Sequence, residues 1–561
     1  MQIARRLVPD SAAALAAAGV TPVLARIYAA RGVRSTVELA DDLGLLPPWR
    51  LLKGIEEAAA RLADAIERGE RMLIVADYDA DGATACAVGV RGLSAMGAKV
   101  DYLVPNRFEF GYGLTPEIVA LAAQRDPRLI ITVDNGIASV EGVAAARARG
   151  IEVLITDHHL PGETLPSPAL IVDPNQPDCG FPSKHLAGVG VMFYVLTALR
   201  AVLRERGRFA EAGEPNLASL LDLVALGTIA DVVRLDQTNR ILVAHGLRRI
   251  RAGRACPGVR ALFDVARRDT AQATTHDLGF LVGPRLNAAG RLADMSIGIG
   301  CLLTDDRAVA LHAAAELDRL NRERREVESA MQEQALAHVG ETLAGDAYTL
   351  CLYRPEWHPG VIGIVASRLR ERFHRPALVF ARADGELRGS GRAIPGFHLR
   401  DAIDLVAKRT PGAILRFGGH AHAAGLSIRE AAFDAVAAEF ERVAREWLPP
   451  EALSAALETD GELDPRELTL GLAEELRARV WGQGFPSPVF DGEFSVLEQR
   501  CVGGEHVRAV LEYSGRRIDA IAFRAGASLP DRFHAVYRPE RDDYRSLPSL
   551  QLVIERWEPR P

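Results

Sequence analysis

Short apolar segments alternate with helical patterns between residues 72 and 172, and this alternation constrains the fold more than any other feature of the sequence. Strand-like apolar segments lie at residues 72–76, 100–104, 129–133, 153–156 and 170–172. Helical patterns at 83–96, 116–123 and 140–149 separate most of them. Apolar strands that alternate with helices are typical of a parallel sheet covered on both faces. The sequence therefore predicts an α/β domain.

The rest of the chain divides into further segments. With 561 residues, three or four domains are expected at about 150 residues each. We predict an N-terminal helical segment at 1–50, the first α/β domain at 51–300, a charged connecting helix at 301–345 and a second α/β domain at 346–448. Residues 449–561 contain period-two strands at 507–513, 517–523, 533–537 and 550–557, which predict a small β-barrel. The fold class is therefore two α/β domains joined by a long helix, followed by a C-terminal barrel.

Charge and cysteine content limit the classes of function. The formal net charge is −7, so overall charge gives no argument for nucleic-acid binding, and the charged helix is read first as a solvated connector. The six cysteines contain no Cys-x-x-Cys pair, which argues against a local zinc knuckle and for reduced thiols. The apolar run 187–199 is too short to span a bilayer. We expect a cytoplasmic protein without a membrane segment.

Acidic residues follow the predicted strands directly. In an open parallel sheet, the carboxyl ends of the strands meet at one edge, where ligands bind. The segments are Asp77-Tyr-Asp79-Ala-Asp81-Gly82 after 72–76, Asp134-Asn-Gly136 after 129–133, Asp157-His158-His159 after 153–156, and Gly227-Thr-Ile-Ala-Asp231 after a further apolar segment.

A single aspartate after a strand is most often a helix N-cap, but capping does not explain three such strands. Two carboxylates about 4 Å apart repel by about 4 kcal/mol at an effective dielectric near 20, so a cluster needs cations. Carboxylates with imidazole favour Mn²⁺ or Mg²⁺, and the histidine favours Mn²⁺. Two such ions would activate a water and stabilise the leaving oxygen in phosphoester hydrolysis. The sequence contains no P-loop and no dinucleotide-binding glycine motif, which argues against nucleotide-driven motor chemistry.

The four acidic segments, in this order, resemble the motifs of the DHH phosphoesterase superfamily. Residues 104–114, 283–291, 357–364 and 418–425 resemble, more narrowly, the RecJ single-strand exonucleases. This resemblance covers residues from about 50 to 430 and implies a DHH domain followed by a DHH-associated domain, with an OB-like fold as the barrel. It also implies a metal-dependent 5′-to-3′ exonuclease that degrades single-stranded DNA to mononucleotides in recombination and repair.

The resemblance also assigns roles at the metal centre, which would hold two Mn²⁺ or Mg²⁺ ions. It implies the metal ligands Asp79, Asp81, Asp134, His158 and Asp231. Asp134 is a plausible bridge between the ions because its strand is expected to be central. Of the other candidate catalytic residues, Asp77 and Asp157 would be ligands or would orient the ligands, and His159 would contact the phosphate or be structural.

Candidate DNA-binding residues lie in the remaining motifs, where guanidinium groups and glycine amides could hold phosphates. Each has a plainer alternative: a surface ion pair in 283–291, a core tryptophan, or a simple turn at Gly-Gly-His. One or two of the barrel aromatics are also expected to face DNA. The candidates are Arg107, Arg285, Asn287, Arg291, Trp357, Arg388, Ser390, Arg392, Gly418, Gly419 and His420.

The expected partner is single-stranded DNA, bound by a monomer, and the resemblance adds a single-strand-binding protein and a recombination helicase. Two other functions stay open. A DHH phosphodiesterase for short oligonucleotides or cyclic dinucleotides would not need the barrel. A scaffold that has lost its metals is disfavoured by the intact aspartate and histidine set, because buried carboxylates without cations are unfavourable.

Overall fold

The structure is a computed structural model that describes residues 2–105, 113–210, 213–342, 346–383, 385–526, 528–543 and 547–560. The chain forms two compact units. Residues 3–318 and 458–561 make the first unit, and residues 319–457 make the second. The boundary between 318 and 319 falls within one long helix, Arg307–Thr342, close to the predicted connecting helix.

The α/β part of the first unit begins after a short N-terminal segment. Its elements are β1 (Gln2–Arg5), α1 (Ser11–Ala17), α2 (Pro22–Ala29), α3 (Ile55–Glu67), β2 (Arg71–Ala76), α4 (Ala80–Ala95), β3 (Lys99–Leu103), α5 (Pro116–Ala123), β4 (Leu129–Val133), α6 (Val140–Ala148), β5 (Glu152–Thr156) and β6 (Leu170–Val172). Strands β2 to β6 form one parallel sheet in the order β3-β2-β4-β5-β6. The predicted strands are all present, and β4 is central.

Alternate residues of these strands pack against different helices. Leu73 and Ile130 belong to a core with Ile118 of α5 and Val143 of α6. On the other face, Ile74 packs against Gly89 of α4. Every residue of β4 is buried, because both faces of the central strand are covered. This double cover explains why the sequence shows continuous apolar segments rather than alternation.

A helical region follows the sheet. It contains α7 (Gly188–Glu205), α8 (Leu221–Ala230), α9 (Gln237–Arg251), α10 (Pro257–Val265), α11 (Thr275–Asp277), a π-helical turn (Leu278–Val282), α12 (Gly283–Leu292), α13 (Ser296–Leu303) and α14 (Arg307–Thr342). Within the described residues, none of the helices combines the length and the apolarity that a bilayer crossing requires.

The second unit is a smaller α/β fold. Its elements after α14 are β7 (Leu350–Tyr353), α15 (Ile362–Phe373), β8 (Ala377–Ala383), β9 (Glu386–Arg392), α16 (Leu399–Arg409), β10 (Ile414–Gly419), β11 (Ala423–Ile428) and α17 (Phe433–Trp447). The sheet order is β10-β11-β9-β8-β7, with β7 and β8 parallel and the other pairs antiparallel.

The C-terminal residues return to the first unit and form a closed barrel, as predicted. After β12 (Ala456–Thr459) and α18 (Leu470–Ala478), the barrel strands are β13 (Phe490–Val502), β14 (His506–Tyr513), β15 (Arg516–Ala522), β16 (Arg532–Asp542) and β17 (Ser549–Pro559). They close in the order β13-β14-β15-β17-β16. Strand β13 was not predicted, and β16 is longer than its prediction. The predicted fold class is thus confirmed.

The N-terminal helices and the barrel share one hydrophobic core. Tyr28 of α2 stacks on Trp481 and Phe485, with ring centroids 5.9 and 6.1 Å apart. Beside these rings, the buried guanidinium of Arg31 donates to both carboxylate oxygens of buried Asp460, at 2.6 and 3.0 Å. The predicted division into segments 1–50 and 449–561 stays a prediction about domain boundaries, but their side chains pack together.

We expect Arg31→Ala to lower the free energy of unfolding by about 3–5 kcal/mol, because it leaves the Asp460 carboxylate buried without its main partner. Urea unfolding followed by circular dichroism measures the change. The control is Arg50→Ala, which removes an exposed ion pair with Glu56 and should cost no more than about 1 kcal/mol. Equal losses in the two variants would show that the buried pair does not stabilise the shared core.

Candidate metal centre

Three aspartates extend the parallel sheet by one residue beyond their strands. The backbone N–H groups of Asp77, Asp134 and Asp157 donate to the carbonyls of Val133, Thr156 and Val172, at 3.3, 3.0 and 3.2 Å. Each aspartate is thus held by the neighbouring strand. Their side chains begin from a row of fixed positions at the carboxyl edge of the sheet, where the sequence predicted them.

The loop after β2 supplies two further carboxylates. Asp79 is the N-cap of α4, and its Oδ1 accepts from the N–H groups of Asp81 and Gly82 at 2.9 and 3.0 Å. Asp81 is fully buried, and its two oxygens accept from the first N–H groups of α7, those of Gly188 and Val189, at 2.7 and 2.9 Å. The positive end of the α7 dipole therefore stabilises the Asp81 carboxylate.

His158 connects the strand-end aspartates to the last residue of the set, Asp231, which caps the C-terminus of α8. Its Nε2 lies 3.0 Å from Asp134 Oδ1, 3.6 Å from Asp231 Oδ2 and 3.9 Å from Asp81 Oδ2. This buried nitrogen makes no hydrogen bond to any of the described residues. Three carboxylates and one imidazole nitrogen therefore converge on the same point.

The ligand atoms form three groups, and the group of Asp134, His158 and His159 overlaps the other two, which share no residue with each other. Asp77, Asp79 and Asp134 make one of these two groups, and Asp81, His158 and Asp231 make the other. Within each group the ligand atoms lie within 4.8 Å of one another. The contact between Asp134 and His158 joins the groups, which gives the arrangement two adjacent cation positions.

Burial and mutual repulsion disfavour negative charge at this edge. Burial, followed by neighbouring aspartates, raises the pKa of Asp81 and of Asp134 well above its usual value. Burial and then Asp79 raise the pKa of Asp231 to about 7. Burial lowers the pKa of His158 to about 4, which leaves a neutral imidazole able to act as a ligand. Carboxylate oxygens with a neutral imidazole fit the ligand preferences of Mn²⁺ and Mg²⁺.

Asp157 is used differently from the other aspartates. Its oxygens accept from the backbone N–H groups of Ile137, His158 and His159 and from Nδ1 of His159, the last at 2.7 Å. Burial opposes the charge of His159, but the hydrogen bond to Asp157 and the charge of that carboxylate raise its pKa to about 9. Asp157 therefore orients a positively charged His159 at the rim of the site.

Two glycines allow helices to approach the carboxylates closely. A Cβ at Gly188 would lie 2.8 Å from Oδ1 of Asp134, and a Cβ at Gly227 would lie 2.9 Å from Oδ1 of Asp81 and 2.1 Å from Thr84 Oγ1. Real Cβ atoms do not make such contacts. The start of α7 and the middle of α8 can pack against the site only because these side chains are absent.

The second unit brings its predicted residues together on neighbouring strands. Ser390 of β9 pairs with Gly425 of β11, which pairs with Gly418 of β10. Arg392 is half-buried and donates to the Ser390 hydroxyl at 3.2 Å. Gly418, Gly419 and His420 are exposed at the end of the β10–β11 hairpin, and Arg388 lies on β9, half-buried. This surface combines guanidinium groups with exposed glycine backbone.

The chain is similar in sequence to curated proteins over nearly its whole length. It is 53% identical over 563 residues to the single-stranded-DNA-specific exonuclease RecJ of Dickeya dadantii, which covers 98% of this chain and 96% of that protein. The Escherichia coli protein of the same name is 49% identical over 573 residues, covering 99% of this chain and 98% of that one.

The chain belongs to the RecJ family.

Three family profiles match successive parts of the chain. The DHH family N-terminal domain matches residues 71–228, the DHHA1 domain matches 346–446, and the RecJ OB domain matches 459–556. The solved structures agree with these matches. RecJ from Thermus thermophilus in complex with Mn²⁺ has a TM-score of 0.83 and 32% identity, covering 99% of this chain and 79% of that chain. The structure of the Thermus thermophilus protein with Mg²⁺ has a TM-score of 0.77 and 31% identity, covering 99% and 78%.

Two of the predicted DNA-binding residues are buried and bonded within the chain, and their DNA contacts stay predictions. Arg285 is buried, and its guanidinium donates to Asp318 at 3.0 Å and to the Leu281 carbonyl at 2.6 Å. Trp357 is also buried, and its Nε1 donates to Gln334 Oε1 at 2.7 Å. The burial of Trp357 agrees with its plainer alternative, a core tryptophan, whereas the ion pair of Arg285 with Asp318 is buried rather than on the surface.

Three other predicted residues have different outcomes. The side-chain carbonyl of Asn287 accepts from the N–H of Ala80 at 2.8 Å, so this side chain fixes the start of α4 next to Asp79 and Asp81. Arg291 is half-buried, and its DNA contact stays a prediction. Arg107 lies outside the described residues, in the interval 106–112.

Two residues beside this site were not predicted from the sequence. Asp173 follows β6 as Asp157 follows β5, and it is fully buried. Burial, followed by Asp157, raises the pKa of Asp173 to about 8. Its Oδ1 accepts from the N–H of Asn175, whose side chain donates to the His158 carbonyl at 2.6 Å. The strand-end rule that found Asp157 would have found Asp173 as well, whereas Asn175 carries no such signal.

We expect Asp134→Asn and Asp157→Asn to change the stability of the chelator-treated protein in opposite directions. Asp134→Asn removes a charge from the repelling cluster and should stabilise the fold by up to about 4 kcal/mol. Asp157→Asn removes a carboxylate that backbone N–H groups and His159 stabilise, and should destabilise it by about 1–3 kcal/mol. Thermal unfolding in chelator measures both. A loss of stability in Asp134→Asn would contradict the picture of a cluster strained by repulsion.

Proposed function

We propose that this chain is a metal-dependent exonuclease that degrades single-stranded DNA to mononucleotides in the 5′-to-3′ direction, in recombination and DNA repair. The observation that carries the proposal is the pair of adjacent ligand groups joined by the 3.0 Å contact between His158 and Asp134. The Thermus relative, with a similar fold, was solved with Mn²⁺ and with Mg²⁺. The polarity rests on the family resemblance alone.

Two ions, Mn²⁺ or Mg²⁺, would be held by Asp79, Asp81, Asp134, His158 and Asp231. Asp134 would contribute to both positions, because it belongs to two of the ligand groups and its Oδ1 lies 3.0 Å from His158 Nε2. Asp77 completes the first group, and its backbone is fixed by β4. A preformed set of ligands lowers the cost of ordering them when the ions bind.

When bound, the two ions would activate a water molecule for attack on phosphorus and stabilise the leaving oxygen. His159 would donate from Nε2 to a phosphate oxygen, because Asp157 holds its Nδ1 and maintains its positive charge. Asn175 donates to the backbone carbonyl of His158 and so would fix the positions of His158 and His159. The remaining carboxylates fix the ligand positions before substrate arrives.

The second unit would bind the DNA backbone and its 5′ end. Arg388, Arg392 and Ser390 supply donors on β9, and Gly418, Gly419 and His420 supply exposed backbone and an imidazole at the hairpin. Phosphate contacts position a strand without reading its sequence. The net charge of −7 means that this attraction must be local.

The barrel would hold the longer part of the strand. Tyr513, Phe533 and Tyr537 fill its interior, whereas Phe523 is 56% exposed and available to a base. A phosphodiesterase for short oligonucleotides or cyclic dinucleotides would not need this barrel, and a scaffold without metals would not need the ligand groups. The expected monomeric state, cytoplasmic location, single-strand-binding protein and helicase partners stay predictions.

We expect chelation to abolish exonuclease activity and Mn²⁺ to restore it. Asp134→Ala should reduce turnover by more than about 100-fold. Loss of a residue that only hydrogen-bonds to a metal ligand costs about 10- to 100-fold, and loss of a ligand itself should cost more. Single strands labelled at either end report rate and polarity together. Asp101→Ala is the control, since Asp101 is an exposed acid of β3 paired with Arg125. Release of the 3′ label first would contradict the proposed direction, and cleavage in chelator would contradict the metal mechanism.

We expect His420→Ala to lower turnover by about 100-fold or more while leaving Mn²⁺ binding unchanged, because the residue would act on the phosphate and not on the metals. Calorimetric Mn²⁺ titration and kinetics on 5′-phosphorylated and unphosphorylated strands test this. His422→Ala, an exposed histidine two residues away, is the matched control and should resemble wild type. Loss of Mn²⁺ binding in His420→Ala would refute the assigned role.

A further inference from the structure

Large apolar side chains are exposed next to the metal centre. Among the described residues of 55–303, three are more than half exposed: Leu160 and Val232 at 62% each and Phe280 at 65%. Leu160 follows His159 directly, and Val232 follows Asp231 directly. Single exposed apolar residues need no explanation, but these occur in segments that form one site.

Phe280 lies in the π-helical turn Leu278–Val282, which packs against the end of α8. A Cβ built at Gly279 would lie 3.2 Å from Ile229 Cγ2, and one at Gly283 would lie 3.0 Å from Ala230 Cβ. Ile229 and Ala230 immediately precede Asp231. Helix α12 continues from the turn and holds the start of α4 through Asn287. The element that carries Phe280 is therefore fixed to two segments of the metal centre, and π-helical turns occur often at functional sites.

The ring of Phe280 is supported on one face. His276 stacks on it, with ring centroids 4.7 Å apart and planes inclined by 23°. Burial lowers the pKa of His276, which favours the neutral form of this supporting ring. The stack leaves most of Phe280 accessible although an apolar ring gains nothing from contact with water. An arrangement of this kind suits a flat, apolar ligand surface.

Val232 adds a second, independent observation. Its φ is +63°, in the left-handed region that a β-branched residue adopts only at a cost. Because the side chain is exposed, core packing does not offset that cost. Glycine or asparagine would fit this backbone better. Packing against the described residues therefore does not explain an apolar side chain at this position.

We propose that Phe280 stacks on a nucleobase of the single strand whose phosphate enters the metal centre, and that Val232 contacts the adjoining nucleotide. The inference rests on the proposed function and names the part of the substrate that this surface recognises. Every base has a π-face, so stacking tolerates any sequence. In a duplex both faces of an internal base are covered by its neighbours. The surface formed by Phe280 and Val232 therefore distinguishes single strands from duplex DNA without reading the base sequence.

The test compares Phe280→Ala with wild type in binding to a phosphorothioate single strand in Mn²⁺. Loss of one stacked base should weaken binding about 5- to 150-fold. The slope of log affinity against log salt should not change, because the ring contacts no phosphate. Phe280→Tyr keeps the ring and should restore affinity. Val37→Ala, which truncates another side chain that is 60% exposed, is the matched control.

Strands with one abasic position show whether the contact is to a base. For wild type, one abasic position near the 5′ end should reduce affinity about as much as Phe280→Ala does. Phe280→Ala itself should bind intact and abasic strands equally. The inference would be overturned if Phe280→Ala bound the intact strand as tightly as wild type does. It would also be overturned if the abasic position weakened binding to Phe280→Ala as much as it weakens binding to wild type.

Two control measurements separate this inference from the proposed function. Circular dichroism and Mn²⁺ titration should be the same for Phe280→Ala and wild type, since the side chain is exposed. If the wild-type protein showed no metal-dependent digestion of single strands, the proposed function would fail. If wild type were active and Phe280→Ala bound DNA equally well, only the stacking inference would fail.

Discussion

Repulsion among buried carboxylates is the constraint on which the first unit depends. Asp81 and Asp134 are almost completely buried, and each faces further aspartates at the same edge of the sheet. Folding holds them there through the parallel backbone ladder, which fixes Asp77, Asp134 and Asp157, and through the α7 N-terminus, which caps Asp81. Neither arrangement neutralises the cluster. Bound cations would neutralise it. The same buried carboxylates therefore determine both the cost of folding and the affinity for metal ions.

Strand-end reasoning predicted most of this site because it depends on local pattern. A buried strand places the next residue at the sheet edge, and Asp77, Asp134 and Asp157 lie there. The N-cap alternative also holds for one residue, since Asp79 caps α4 while belonging to a ligand group. Asp231 is different. It ends a helix rather than a strand, and only the packing of α8 against α4 and α7 brings it to His158.

Sequence reasoning does not identify the partner of a side chain when that partner lies far along the chain. Arg285 reads as a surface arginine, but Asp318, on the next long helix, buries and pairs it. Trp357 is buried in a hydrophobic core, where its Nε1 donates to Gln334. In the same way, the prediction of a helical segment at 1–50 did not indicate that the barrel core would cover the helix at Pro22–Ala29. Periodicity identifies the buried face and gives no information about its partner.

The site also shows where the fold accepts local cost. Asp134 and Val232 both have left-handed backbones, at φ +61° and +63°, and both stand where the chain leaves a packed element at the metal centre. The stability that permits this comes from elsewhere: the face of the sheet packed under α5 and α6 is apolar and well filled. One side of the domain can therefore be optimised for packing. The carboxyl edge of the sheet, where the buried carboxylates lie close together, contributes less to stability and can instead be shaped by the ligands that it binds.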